Sequence, residues 1–511
     1  MPDPLVLTGR DLSIAQVVAV ARTPAVQVAA DPAALAALAR SRGLIEQAVA
    51  AGETMYGINT GFGKLATVRI APDALDRLQV NLLRSHAAGV GEPLPAEVVR
   101  AMMLLRANVL LRPTSGVRPG LAEALIALLN SRITPWIPGQ GSVGASGDLA
   151  PLSHLALVMM GEGEVCGPDG AARPSAEVLA AAGLTPWSFG PKEGLAFING
   201  TQAQAAILAL LVHDAEVLWR TAVGAAAMSL EALQGTPVPA DPRIHEARPH
   251  QGQGRAAALM RRLLEASEIR ESHREGDPRV QDAYSLRCTP QVLGAVDDAI
   301  GFARRVAEVE LNASTDNPLV FEVEGRGEIL SGGNFHGQPV AQALDFLAIA
   351  LTTLQAIAER RVERLVNPDL SEGLPAFLTR DPGLSSGHMM VQITAAALVA
   401  ESRAIAYPAS IGSIPTDANQ EDFVPMGMAA AWKARRILQN AQQVVAAEFL
   451  SAAQGLEYLL PLRPGRGVEA LYQTIRGPGV GVGPLTEDRP PAPDLRRLAE
   501  AVAAGRLDPD G

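Results

Sequence analysis

The chain has 511 residues, of which 48% are hydrophobic, 19% charged and only 4% aromatic. This is the composition of a folded globular chain, in one large domain or several, and its Ala- and Leu-rich apolar set favours helix over sheet. A formal charge of −11 argues against a nucleic-acid binder, which needs clustered Lys and Arg. Two cysteines, Cys166 and Cys288, are too few for a disulfide framework or a thiolate zinc site.

The opening MPDPLVLTGRDL lacks a basic segment followed by an apolar one, so no signal peptide and a cytoplasmic location are expected. Clean apolar runs of about eight residues predict no membrane span. Amphipathic helices are predicted over Ala33–Ala51 and Pro95–Leu110, separated by the glycine-rich loop YGINTGFG, Tyr56 to Gly63. A loop tyrosine usually packs in a turn; in a closing glycine-rich loop it is also a candidate proton acceptor. Its phenol, with an ordinary pKa of about 10, would need positive charge or dipoles nearby.

GSVGASGDLAPLSHLAL, Gly141 to Leu157, is the most informative segment. Pro151 belongs in the first turn of a helix, so Asp148 is the predicted N-cap of a helix running to about Met160 and stopped at Gly161. The amides and positive dipole end of that helix would face Ala145-Ser146-Gly147. A phosphate loop lacks its lysine and hydroxyl here, and the nucleophile elbow of hydrolases would need Gly where Asp148 stands. A plain structural turn remains open. So does a chemical reading, in which the Gly147 nitrogen attacks the Ala145 carbonyl. Loss of water there and from Ser146 would leave a methylidene-imidazolone electrophile. A side chain on Gly147 would block that approach, and the serine supplies the leaving hydroxyl.

From Asn199, the predicted N-cap in INGTQ, the chain reads as long helices over Gly200–Leu233, Gln338–Val366 and Met426–Ala453. Val340, Leu344, Leu347, Leu351, Leu354 and Ala358 mark one apolar stripe. Helices of about 30 residues run about 45 Å and suggest a bundle continuing into partner subunits. Between them lie three polar loops, VQDAYSLRC, SGGNFHGQP and TDANQEDFVPMG, of the kind that carries chemistry on a rigid scaffold. One helical turn would put Gln281, Tyr284 and Arg287 on one face. The HEARPH segment lacks metal-site spacing, His154 reads as structural, and no metal is expected. The tail from Arg463 reads as a surface wrap with one short helix. Domains are expected at 1–195, carrying the Ala-Ser-Gly and tyrosine loops, and at 196–511, the long-helix core.

Together the Ala-Ser-Gly segment, these loops and the long-helix texture resemble the aromatic amino-acid ammonia-lyase family over essentially the whole chain. The resemblance implies a mainly α fold and a homotetramer with each active site lined by several subunits. It also implies a 4-methylidene-imidazol-5-one (MIO) group formed autocatalytically from Ala145, Ser146 and Gly147, with no external cofactor. In it Tyr56 matches the base that removes the substrate's β-proton, and Arg287 faces the substrate carboxylate. Gln281, Tyr284 and Phe335 match pocket positions, with Tyr284 as the competing phenol. Asn199 reaches the amino-acid backbone and the electrophile. Ser85-His86 and Glu421 resemble the branch that acts on L-histidine, because a carboxylate suits an imidazole and not a benzene ring. The implied reaction is non-oxidative release of ammonia from L-histidine to give trans-urocanate. The alternative is phenylalanine or tyrosine deamination, or a 2,3-aminomutase. Gly337-Gln338 and Phe423 depart from the histidine-branch pattern and put the fine geometry of the pocket in question.

Overall fold

Helices make up most of the ordered chain in the computed structural model, which describes residues 3–167 and 169–510. Among the described residues, strands occur only as four two-stranded pairings, one parallel (Leu5–Leu7 with Val28–Ala30) and three antiparallel. The mainly α class that the resemblance implies, and toward which the composition leans, is therefore observed.

Internal contacts divide the chain into two compact units. The first comprises Met1–His213, Arg304–Asp345 and Pro408–Trp432; the second comprises Asp214–Ala303, Phe346–Tyr407 and Lys433–Gly511. A single cut at residue 195 does not describe this division, because the first unit recruits two segments from far down the chain. Four helices, Gln202–Ala232, Thr289–Glu310, Gln338–Val366 and Gly427–Leu456, contribute residues to both units. Three of them have 31, 29 and 30 residues, so each runs about 45 Å.

In the first unit Ala96–Leu110 is buried at nearly every position and packs against Ile14–Arg22 and Pro119–Asn130. Its Arg106 is fully buried and donates to the carbonyls of Ala196 and Asn199 at 2.5 and 3.1 Å, and to the Gln202 side chain at 2.5 Å. Burial pushes this guanidinium down to about 10, opposed by Asp316. Arg106 thus satisfies carbonyls at the break between the helices Glu193–Ile198 and Gln202–Ala232. Asn199 lies in that break. It is the C-cap of the short helix, not the N-cap of the long one as its position in INGTQ predicts.

In the second unit the Arg361 guanidinium forks onto Glu448 at 2.5 and 2.9 Å, both side chains fully buried. The Ser229 hydroxyl donates to the same carboxylate at 2.7 Å, so this interior charge pair is well partnered. The helix Gln338–Val366 forms as its pattern predicts: Val340, Leu344, Leu347, Leu351, Leu354 and Ala358 are each 0% exposed. By length and composition it is apolar enough to cross a membrane, yet 67% of its most apolar window is buried within the protein. A core helix passes the same test. The C-terminal segment holds two helices, Arg466–Arg476 and Ala492–Ala503, where one was expected. Val468, Leu471 and Ile475 on the first, and Leu498, Ala499 and Val502 on the second, are buried. These short stripes are masked in the sequence by the glycines and prolines between them.

Candidate active site

Ala145, Ser146 and Gly147 occupy a turn in which Gly144 and Gly147 bridge to each other, while Gly147 also bridges to Gly200. Gly147 has a φ of +72°, and a Cβ added there would lie 2.2 Å from the Gly200 carbonyl oxygen. Only glycine satisfies both conditions. The next peptide is pinned as well, by a 2.7 Å hydrogen bond from the Asp148 N–H to the same oxygen.

The helix after the turn, Leu149–Met159, begins where Asp148 predicts, but the Asp148 side chain makes no cap bond to it. Its carboxylate accepts instead from the Ser142 hydroxyl at 2.8 Å and from the Gln204 N–H at 2.9 Å, in the first turn of Gln202–Ala232. Asp148 therefore ties the turn to a helix that begins over fifty residues later. Complete burial pushes its carboxyl up to about 6 despite these opposing hydrogen bonds.

The Asn199 amide completes the frame, donating from Nδ2 to the Ser146 carbonyl at 2.8 Å. Its Oδ1 is buried without a partner. On the other side of Ser146, the hydroxyl donates to Glu421 Oε1 at 2.5 Å, and Thr416 donates to Oε2 at 2.5 Å. The turn has the features that ring closure at Ala145-Ser146-Gly147 requires. The backbone folds back on itself, Gly147 carries no side chain in a space that admits none, and a fixed amide holds the neighbouring carbonyl.

Ser146 opens onto a cavity of about 720 Å³ that Tyr56, His86, Asn199, Phe335 and Glu421 also line. An adjoining cavity of about 520 Å³ shares Tyr56, Ser146, Phe335 and Glu421 and adds Ala145 and Phe423. The Tyr56 hydroxyl oxygen accepts the Gly63 N–H at 3.1 Å, an interaction that strengthens as that oxygen gains negative charge. His86 Nδ1 lies 2.8 Å from the Leu82 carbonyl oxygen. A carbonyl only accepts, so Nδ1 carries the proton and the neutral ring keeps an acceptor at Nε2. Burial holds this imidazole below its ordinary 6.5, against the Leu82 carbonyl and the charges of Asp417 and Glu421.

All residues lining the two cavities belong to the first unit. Gln281, Tyr284 and Arg287 belong to the second, where they form a cluster of their own. Arg287 donates to Gln281 Oε1 at 2.5 Å, and its guanidinium carbon lies 4.8 Å from the centroid of the Tyr284 ring. Tyr284 is 70% exposed. His154 is structural as expected, its Nε2 accepting the Gly89 N–H at 3.1 Å. Among the described residues no His, Cys, Asp and Glu group could hold a metal ion.

Sequence reasoning passed over Asn317 and Asp417, which line both cavities. Asp417 lies in the loop TDANQEDFVPMG, four residues before Glu421. Asn317 precedes Pro318 in a cis peptide. An Asx-Pro pair in a loop was the available signal for it.

Residues 12–477 match the sequence profile of a family described as aromatic amino acid lyase. The chain belongs to the aromatic amino acid lyase family. Its relatives in this family include a histidine ammonia-lyase of Koribacter versatilis, 51% identical over 98% of each chain. A histidine ammonia-lyase of Deinococcus radiodurans is 52% identical over 98% of this chain and 93% of its own. Among solved structures, histidine ammonia-lyase from Trypanosoma cruzi superposes with a TM-score of 0.90 at 41% identity, covering 99% of this chain and 94% of that one. A tyrosine aminomutase from Streptomyces globisporus gives 0.92 at 39% identity, covering 99% and 98%. The fold of this lyase family thus serves several substrates, and side chains must choose among them.

The two departures noted in the sequence have local explanations. A Cβ on Gly337 would lie 2.4 Å from the Gln204 amide, so a larger residue there would move the end of that side chain. Gln338 donates to the Ser410 carbonyl at 3.4 Å. Phe423 stacks on His336 with centroids 6.1 Å apart, and His336 Nε2 lies 3.1 Å from the Phe423 carbonyl oxygen.

Proposed function

We propose that this chain is a histidine ammonia-lyase, which converts L-histidine to trans-urocanate and ammonia without oxidation. The observation that carries the reading is the presence of His86 and Glu421 on the cavity that contains Ser146. A ring acceptor and a carboxylate suit an imidazole, which offers an N–H when neutral and two when protonated. Against a benzene ring the same groups would be desolvated without return. The histidine ammonia-lyases that match nearly the whole chain at 51–52% identity support the same substrate.

Ala145, Ser146 and Gly147 would carry the MIO group, which supplies an electrophile that makes the substrate's amine a better leaving group. Asn199 holds the turn through the Ser146 carbonyl, and its unpartnered Oδ1 is available to a substrate N–H. Tyr56 removes the β-proton, with the Gly63 N–H stabilising charge on the phenol oxygen. His86 Nε2 accepts one imidazole N–H, and Glu421 holds the ring from the Ser146 side. Phe335 packs along the substrate. Arg287, steadied by Gln281 and Tyr284, fixes the carboxylate with its guanidinium fork at the site of a neighbouring subunit.

The working form in this reading is a cytoplasmic homotetramer whose active sites draw on several subunits. Apolar side chains on second-unit helices support further association: Phe346 is 48% exposed, Ile349 43%, Met390 55% and Ile393 46%. A substrate panel with product identification tests the function. Histidine should exceed phenylalanine and tyrosine by orders of magnitude in kcat/KM. Comparable turnover of phenylalanine, or release of a β-amino acid, would assign the chain to the rival branch.

A further inference from the structure

The loop that carries Glu421 also reaches the loop that carries Tyr56. Asp417 Oδ2 accepts the Lys64 N–H at 3.0 Å. The same oxygen occupies the space above Gly63, where an added Cβ would lie 2.0 Å from it. The neighbouring Gly63 N–H is the group that donates to the Tyr56 hydroxyl oxygen. Asp417 thus grips the peptide unit beside the one that holds the phenol. Two backbone hydrogen bonds between Thr416 and Glu421, at 2.9 and 3.3 Å, close the Asp417 loop. Within it Asp417, Ala418 and Asn419 all have left-handed backbones, with φ of 47°, 51° and 64°. Three consecutive non-glycine residues in that region are strained, and such strain persists where surrounding contacts over-determine it. The loop holds the Ser146 hydroxyl of the unprocessed turn through Glu421, and the tyrosine loop through Asp417.

We propose that Asp417 is a positioning residue for the proton-abstraction step, a latch that sets the Tyr56 phenol against the electrophile turn. It acts through the Gly63-Lys64 backbone and forms no bond with the substrate. The role rests on the assignment of Tyr56 as the base in histidine deamination.

The test is steady-state kinetics of the full-length enzyme on histidine and β-deuterated histidine, for wild type, Asp417→Ala, Asp417→Asn, Gly63→Ala and the Gly63→Ala/Asp417→Ala double variant. Intact mass and melting temperature are measured alongside. Asp417→Ala should keep the mass deficit of the processed turn and lose kcat by about 10- to 100-fold, the effect of misplacing a reacting group by about 1 Å. KM should change little, and the deuterium effect on kcat should rise as proton removal becomes limiting. Asp417→Asn retains an oxygen for the Lys64 N–H and should recover most of the loss. Gly63→Ala should reproduce the defect by displacing the carboxylate, and should add little on top of Asp417→Ala, because both break one contact.

An unchanged kcat in Asp417→Ala overturns the latch. So does an Asp417→Asn variant as impaired as Asp417→Ala, or an effect confined to KM. A wild-type enzyme inactive on histidine overturns the functional reading and this role with it, whereas an active wild type with an indifferent Asp417→Ala overturns the latch alone.

Discussion

Replacing Gly147 with alanine should block self-processing while leaving the fold in place. The new methyl meets Gly200 backbone, at 2.2 Å from O, 2.3 Å from C and 2.5 Å from N, where no flexible side chain can move aside. An ordinary contact needs about 1 Å more, and the shift stretches the 2.7 Å hydrogen bond from the Asp148 N–H to the Gly200 carbonyl. Losing that bond costs about 1 kcal/mol, and a left-handed non-glycine residue at the φ of +72° costs about 1–2 kcal/mol more. The total, about 2–3 kcal/mol, lowers the melting temperature of a chain this size by only a few degrees. Ring closure has no such tolerance, because the Gly147 nitrogen must reach the Ala145 carbonyl carbon within a turn that the methyl has pried open. The assay is intact mass beside thermal melting. Wild type should fall about 36 Da, two waters, below its sequence mass, and Gly147→Ala should match its own unmodified mass. A Gly147→Ala protein with the full deficit and normal turnover would refute the steric argument.

Tyr56→Phe keeps the ring and the turn chemistry, so it should retain the mass deficit and lose at least about 10²–10⁴-fold in kcat. Tyr284→Phe, measured in parallel, identifies the base if it proves to be the variant without turnover. Gly43 lies inside the helix Pro32–Ala50 with nothing within 4 Å of an added Cβ; Gly43→Ala should stabilise by about 0.5–1 kcal/mol in chemical denaturation, with activity unchanged. Burial, reinforced by Arg476 and Arg489, pushes the His388 imidazole down to about 4. A histidine depressed in the fold takes up its proton more readily when unfolded, so its effect is absent above about 6.5 and destabilises as pH falls from there through about 4. The gap amounts to about 3 kcal/mol. The neutral variant His388→Gln should lose melting temperature less steeply over that interval, and parallel wild-type and variant profiles would contradict the assignment.

What the sequence could determine here is what short-range chemistry encodes. A stripe recurring every three or four residues requires the helix Gln338–Val366, because one face must be buried wherever that helix packs. Glycines around Ala145-Ser146-Gly147 require a turn, because only they tolerate its backbone. The resemblance marks Tyr56, His86, Asn199, Phe335 and Glu421 as site positions, and all of them line the Ser146 cavity. The partners were not legible. Asp148 reads as the cap of its own helix and instead serves Gln204, and Asn199 ends one helix where its place in INGTQ reads as the start of another. Asp417 meets a loop 353 positions away in the chain. Such pairings depend on which backbone groups the packed helices leave unsatisfied at one place, and no local pattern records that. The same reason hides the two units, whose segments interleave along the chain: periodicity says which face of a helix is buried, and only tertiary packing says against what.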